Sequence, residues 1–185
     1  MSWDKASLLL HGVTLLSGRA HTRVELERKL LTVVLRRAGA PGDARAMVAS
    51  VATELEARGL LDDAAYARWH ASQRDSVAGA RRPRSRAQLA GELYAKGVAA
   101  SLVREIVAGH SELASGAAAA LRRPALRSAQ LVAHLKFKGF SFGVVARVAR
   151  AHGEGEGALR ALVEEERGRR AAGAAAEGGE ETPLQ

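Results

Sequence analysis

The stretch Leu89-Ala90-Gly91-Glu92-Leu93-Tyr94-Ala95-Lys96-Gly97 returns 42 residues later as Leu131-Val132-Ala133-His134-Leu135-Lys136-Phe137-Lys138-Gly139. Both copies read Leu-x3-Leu-x2-Lys-Gly. The leucines stand four apart, on one face of a helix, and the glycine tolerates the left-handed residue that ends it. A second apolar pair follows each glycine at matching offsets: Val103 with Ile106, and Val145 with Val148. Self-similarity at this period indicates a repeat architecture, in which each unit is too small to bury its own core and stacks on its neighbours.

Outward from these copies the punctuation is helical. Thr22-x-x-Glu25 is a capping box that opens a helix running to Arg37, with Gly39 past its end and Pro41 beyond. Asp43 can cap a helix with the stripe Met47, Val48, Val51 and Leu55, ending at Gly59; Asp62 can cap another that carries Tyr66 and Trp69 and stops near Gly79. Ser85-x-x-Gln88 opens the helix of the first copy. A helix through Val103 and Ile106 follows it, then an alanine-rich one between Ser111 and Arg123, stopped by Pro124. The second copy occupies a helix from about Ser128 to Lys138. Ser141 caps the next, and a last helix runs to about Arg169.

No window alternates with period two, so no strand is expected. The fold class expected is all-α: an N-terminal helical segment over 1–20, three tandem three-helix repeats over 21–80, 81–124 and 125–170, and a disordered acidic tail over 171–185. Stacked, such units form an elongated, curved body.

Composition narrows the function. Alanine supplies much of the 47% hydrophobic content and aromatics only 4%, which suits slim helices rather than one large core. Without cysteine there is no disulfide framework and no thiolate chemistry. No apolar run reaches the roughly 18 residues of a membrane span, and no signal peptide is evident. A cytoplasmic, monomeric protein is expected. The net charge of +8 conceals an asymmetry: from Gly153 onward eight Glu face four Arg, leaving +12 on residues 1–152. Such a body suits a polyanionic or acidic partner better than a small-molecule substrate.

The densest cation cluster is Arg81, Arg82, Arg84 and Arg86, stiffened by Pro83. Arginine's planar fork suits phosphate or carboxylate, although a solvated linker would read the same way. Lys96 and Lys138 recur with the repeat. A cation in the last turn of a helix also complements its dipole. Arg122, Arg123, Arg127, Lys136, Arg147 and Arg150 extend a possible basic track.

Asp62 and Asp63 stand at a helix start and are read as caps rather than acid/base catalysts. The six histidines lack metal spacing and read as surface or packing residues, while Tyr66 and Trp69 read as core. Phe140, just past a helix stop, should pack back onto it. No phosphate loop or nucleophile elbow occurs, so neither catalytic residues nor a cofactor or metal are expected, and the chain is not read as an enzyme.

These residues together resemble the RecX family of bacterial regulatory proteins. The resemblance runs from about Leu8 to His152 through Leu15-Leu16-Ser17-Gly18-Arg19, Glu25-Leu26-x3-Leu30 and Leu60-Leu61-Asp62-Asp63-Ala64-Ala65-Tyr66-Ala67. It continues in Arg84-x4-Leu89-x3-Leu93-x2-Lys96-Gly97-Val98 and Leu131-x3-Leu135-x2-Lys138-Gly139-Phe140-Ser141, where the family usually has arginine before the glycine. It implies tandem three-helix repeats that lie in the groove of the RecA–single-stranded DNA filament. It also implies that they modulate, mainly by inhibition, recombinase, ATPase and co-protease activity in DNA repair and the SOS response. The alternatives are a nucleic-acid-binding helical module acting independently of RecA and, more weakly, an adaptor for an acidic peptide. The acidic tail falls outside the resemblance and is expected to mask the basic body.

Overall fold

The computed structural model describes residues 4–38, 43–75 and 82–177. Ten helices follow one another: α1 (Lys5–Gly18), α2 (Arg23–Ala38), α3 (Ala44–Ala57), α4 (Asp63–Ser72), α5 (Arg86–Ala95), α6 (Ala100–Ala108), α7 (Glu112–Leu121), α8 (Ser128–Phe137), α9 (Phe142–Glu154) and α10 (Glu156–Glu177). Among the described residues there is no strand, as the punctuation predicts. Two ends differ from expectation. Helix α4 stops at Ser72, well before Gly79, because the following Gln73, Arg74 and Asp75 continue no apolar stripe. Helix α10 runs to Glu177, so residues 171–177 are helical; alanine needs no burial to favour a helix. The rest of the expected tail lies outside the described residues.

The chain divides into two compact units, Met1–His70 with Gly91–Ile106, and Ala71–Ala90 with Val107–Gln185. In the first unit α1 lies on α2 and α3, and Leu8, Leu26, Leu30, Val34, Val51 and Leu55 form a buried core. Gly12 allows that contact: a Cβ there would stand 2.9 Å from Leu55 Cδ1. Tyr66 is buried, but Trp69 is 54% exposed, its ring tilted against Tyr66 at 6.1 Å. One aromatic of the expected core pair therefore faces outward.

In the second unit the alanine-rich α7 is the central helix, packed on α8, α9 and α10. Its small side chains and Gly116 let α9 approach closely; a Cβ on Gly116 would meet Val144 Cγ1 at 2.9 Å and Val148 Cγ2 at 3.1 Å. Leu131, Leu135, Val145, Val148, Leu159 and Phe140 complete the core, and Phe140 packs back over the helix stop as expected. Ser111 Oγ caps α7 and donates to Glu166 Oε2 on α10 at 2.5 Å. Burial pushes the Glu166 carboxyl up, but hydrogen bonds from Ser111 and Arg169 outweigh it and hold the group below the usual range.

One interaction occurs twice. Thr22 Oγ1 accepts from the Glu25 amide at 3.2 Å and donates to the Lys96 carbonyl at 2.6 Å. Ser85 Oγ accepts from the Gln88 amide at 3.1 Å and donates to the Lys138 carbonyl at 2.7 Å. Both hydroxyl residues are fully buried. Each capping hydroxyl thus serves the start of its own helix and the end of a later one, using the acceptor and donor capacity that Ser and Thr combine.

A carboxylate completes each helix start. Asp63 Oδ1 accepts from the Arg23 amide at 2.7 Å, and Glu112 Oε1 accepts from the Arg86 amide at 3.2 Å. Asp62 caps its own helix through the Ala65 amide at 2.9 Å. Both acids of the Asp62–Asp63 pair are therefore caps, of two different helices. Asp43 and Ser141 occupy their expected cap positions without a side-chain cap bond.

Gly97 and Gly139 follow the latched carbonyls with φ of 78° and 75°. Alanine at either costs about 1–2 kcal/mol in the left-handed region. At Gly97 a Cβ would also run into the side chain of Val24, whose own Cβ is fixed to the backbone; at Gly139 the nearest atom, Ala87 Cβ, is 3.3 Å away. Gly97→Ala is therefore expected to lower the melting temperature clearly more than Gly139→Ala. Thermal denaturation followed by circular dichroism checks the order.

Candidate functional site

Within the second unit a cleft of about 250 Å³ is lined by Arg82, Pro83, Arg84, Gln88, Ala119, Arg122, Arg123, His134, Lys138 and Phe140. Five permanent cations converge there, and no Asp or Glu stands among the described residues of the lining. Local structure explains the convergence. Arg122 is the C-cap of α7, and Arg123 follows in a turn closed by its amide on the Ala120 carbonyl. Lys138 is the C-cap of α8, and its carbonyl is held by Ser85. Cations at helix C-termini are partly compensated by the dipole, which favours Arg122 and Lys138 at these positions. The strand of chain leading into α5 brings Arg82 and Arg84 to the other side, where the Arg84 carbonyl accepts from His110 Nε2 at 2.8 Å. Because that carbonyl only accepts, His110 carries its proton on Nε2; burial lowers its pKa and keeps the ring neutral.

The cations named from sequence separate into three groups. Arg82, Arg84, Arg122, Arg123 and Lys138 meet in the cleft. Arg127, Lys136 and Arg150 are exposed on the second unit but do not line it. Arg86, Lys96 and Arg147 are held by the protein itself. Arg86 donates to the Ala108 and His110 carbonyls at the end of α6, and Arg147 grips both oxygens of Glu165 at 3.0 and 2.8 Å. Lys96, in the first unit, pairs with the buried Glu25 at 2.5 Å. Burial raises the Glu25 carboxyl, but the Lys96 ammonium and the Thr22 amide bind it more strongly and hold it below its ordinary value. Arg81 lies outside the described residues.

The two repeated lysines thus have different surroundings. Lys96 meets an acid at the fourth position of its capping box, whereas Lys138 lines the cleft together with Gln88, the residue at that position in the next box. Acidic residues expected to mask the basic body are also engaged locally: Glu164 with Arg167, Glu165 with Arg147, and Glu166 with Ser111 and Arg169.

His134, one of the histidines that read as surface or packing residues, lines the cleft. The sequence signal for that place is its position four residues before Lys138, on the same helix face. Its pKa is lowered, chiefly by burial and further by Arg123 and Lys138, so the ring is neutral at neutral pH. The cleft can therefore hold a polyanion through planar guanidinium contacts and one ammonium, with a proton acceptor poised among them. Among the described residues no group of three or more His, Asp or Glu is arranged to hold a metal ion, and no helix is long and apolar enough to cross a membrane.

The chain is 31% identical over 148 residues to the regulatory protein RecX of Chlorobaculum tepidum, an alignment covering 76% of this chain and 85% of that relative. No family model matches the chain, and no solved structure matches it significantly.

Two outcomes follow from this geometry. Lys96→Ala removes the partner of a buried carboxylate and should cost about 1–3 kcal/mol of stability with little change in anion binding. Lys138→Ala should do the reverse, as calorimetric melting and oligonucleotide titration would reveal. An anion in the cleft favours the imidazolium and raises the depressed His134 pKa. Affinity for a single-stranded oligonucleotide, whose phosphodiesters do not titrate here, should therefore rise as the pH is lowered from neutral into the acid range. His134→Ala should flatten that rise relative to the unsubstituted protein.

Proposed function

Because the chain belongs to the RecX family of regulatory proteins, we propose that it binds the RecA–single-stranded DNA filament in its groove and restrains recombinase, ATPase and co-protease activity in DNA repair and the SOS response. In this reading the helices after α1 are three tandem units, α2–α4, α5–α7 and α8–α10, acting as a cytoplasmic monomer without a cofactor. The observation that carries it is the cleft of the second unit, where Arg82, Arg84, Arg122, Arg123 and Lys138 converge. A filament offers phosphates and acidic side chains at regular intervals, and contacts that are weak singly add when they are tethered together. Arg127, Lys136 and Arg150 supply outlying contacts of this kind. Arg86, Lys96 and Arg147 act within the protein, each holding its own part of the framework.

A second reading, a nucleic-acid-binding module that acts without RecA, is favoured by the same cleft, since its lining would suit bare phosphodiester equally well. RecA's DNA-dependent ATP turnover separates the two. Full-length protein is expected to inhibit turnover, and Arg122→Ala with Arg123→Ala to need about tenfold or more protein for the same inhibition. Each charge-assisted contact contributes about 1.5–3 kcal/mol. Both arginines are exposed, so the melting temperature should hold. No inhibition of turnover by the full-length protein, with binding to bare single strands retained and weakened by the double substitution, would favour the second reading.

A further inference from the structure

The turn joining α8 to α9 contains three phenylalanines with opposite fates. Phe140 is buried, yet Phe137, the last residue of α8, is 86% exposed, and Phe142, the first residue of α9, is 78% exposed. No other large hydrophobic among the described residues is as exposed as these two. Burial is available in this turn, and Phe140 takes it. The outer rings sit where the fold gains nothing from them.

The surroundings of Phe137 indicate what it faces. The Lys138 ammonium lies 5.9 Å from the centre of the Phe137 ring and also lines the basic cleft. The exposed ring and the candidate phosphate site therefore share a side chain. Beside Phe142, Gly143 leaves open space, with no atom within 4 Å of the position a Cβ would take.

We propose that Phe137 and Phe142 form a stacking platform for unpaired bases of single-stranded nucleic acid whose backbone phosphates occupy the Arg122–Arg123–Lys138 cleft. The proposal rests on the reading of that cleft as a phosphate site and adds the chemical class of its ligand. A ligand that is both strongly anionic and rich in flat apolar faces satisfies both halves of the surface. A single strand is such a ligand, whereas in a duplex the base faces are already stacked. Phenylalanine has no donor or acceptor to distinguish one base from another, so the platform tolerates any sequence.

The test compares a labelled oligothymidylate with an abasic phosphodiester strand of equal length, by fluorescence anisotropy across a salt series, using the full-length protein. The unsubstituted protein should prefer the base-bearing strand by about tenfold or more. Phe137→Ala with Phe142→Ala should lower that affinity to the abasic level, leaving abasic binding, its salt dependence and the melting temperature unchanged. Phe137→Trp with Phe142→Trp should retain the preference and show indole fluorescence quenched by the base-bearing strand. Arg122→Ala with Arg123→Ala should weaken both strands and flatten the salt dependence while keeping their ratio.

The proposal is overturned if neither strand binds, if the two bind equally, or if the double alanine variant keeps the preference. Kept preference with lost inhibition of RecA turnover would assign the rings to a protein contact and leave the filament reading standing. The expected preference in a protein that does not affect RecA turnover would support the platform and defeat the filament reading.

Discussion

The structure depends on a hydroxyl that makes two bonds at once. Thr22 and Ser85 each take the free amide three residues ahead and give their own proton to a lysine carbonyl 74 or 53 residues further on. A helix leaves amides without partners at its start and carbonyls at its end, and both are costly to bury unpaired. One hydroxyl satisfies one group of each kind. The glycine after each carbonyl releases the chain from the helix at that point, so the same two residues fix where one helix starts and where another stops. At the third such position stands Arg127, whose side chain accepts nothing, and Gln130 supplies the reciprocal bond to its amide at 3.0 Å. The described residues contain no further Lys-Gly end for a hydroxyl there to hold.

The same caps assign the charges. An acid at the fourth position of the first box occupies Lys96, while the neutral Gln88 of the second offers Lys138 no counter-ion. Equivalent positions in a repeat are thereby given unequal work, one lysine holding structure and the other presenting charge. The arginine following each cap hydroxyl is also internal. Arg23 reaches Glu56 and Thr53 on α3, and Arg86 reaches the carbonyls that end α6. In a basic protein many cations are thus framework, and net charge alone overstates the surface open to a partner.

Helix class, most helix starts and the recurring Lys-Gly end were legible in the residues, because capping boxes, glycine stops and leucines four apart are local signals governed by backbone sterics. Leu89, Leu93, Leu131 and Leu135 are fully buried, as their spacing requires. Half of the candidate site was legible too: the arginines around Pro83 and the pair before Pro124 stand out by composition.

What only the tertiary structure decided is which long-range partners meet. That Asp63 caps α2, that Glu25 takes Lys96, and that Arg82 and Arg84 close on Arg122, Arg123 and Lys138 are contacts between segments tens of residues apart. No local periodicity records them. Trp69 and Phe137 show the same limit, since helical spacing places a side chain on a face, and only the packing of neighbouring helices determines whether that face is covered. The residues by themselves fixed where helices begin and end; the distances between those ends, set by buried hydroxyls and close glycine contacts, made a cleft of scattered cations.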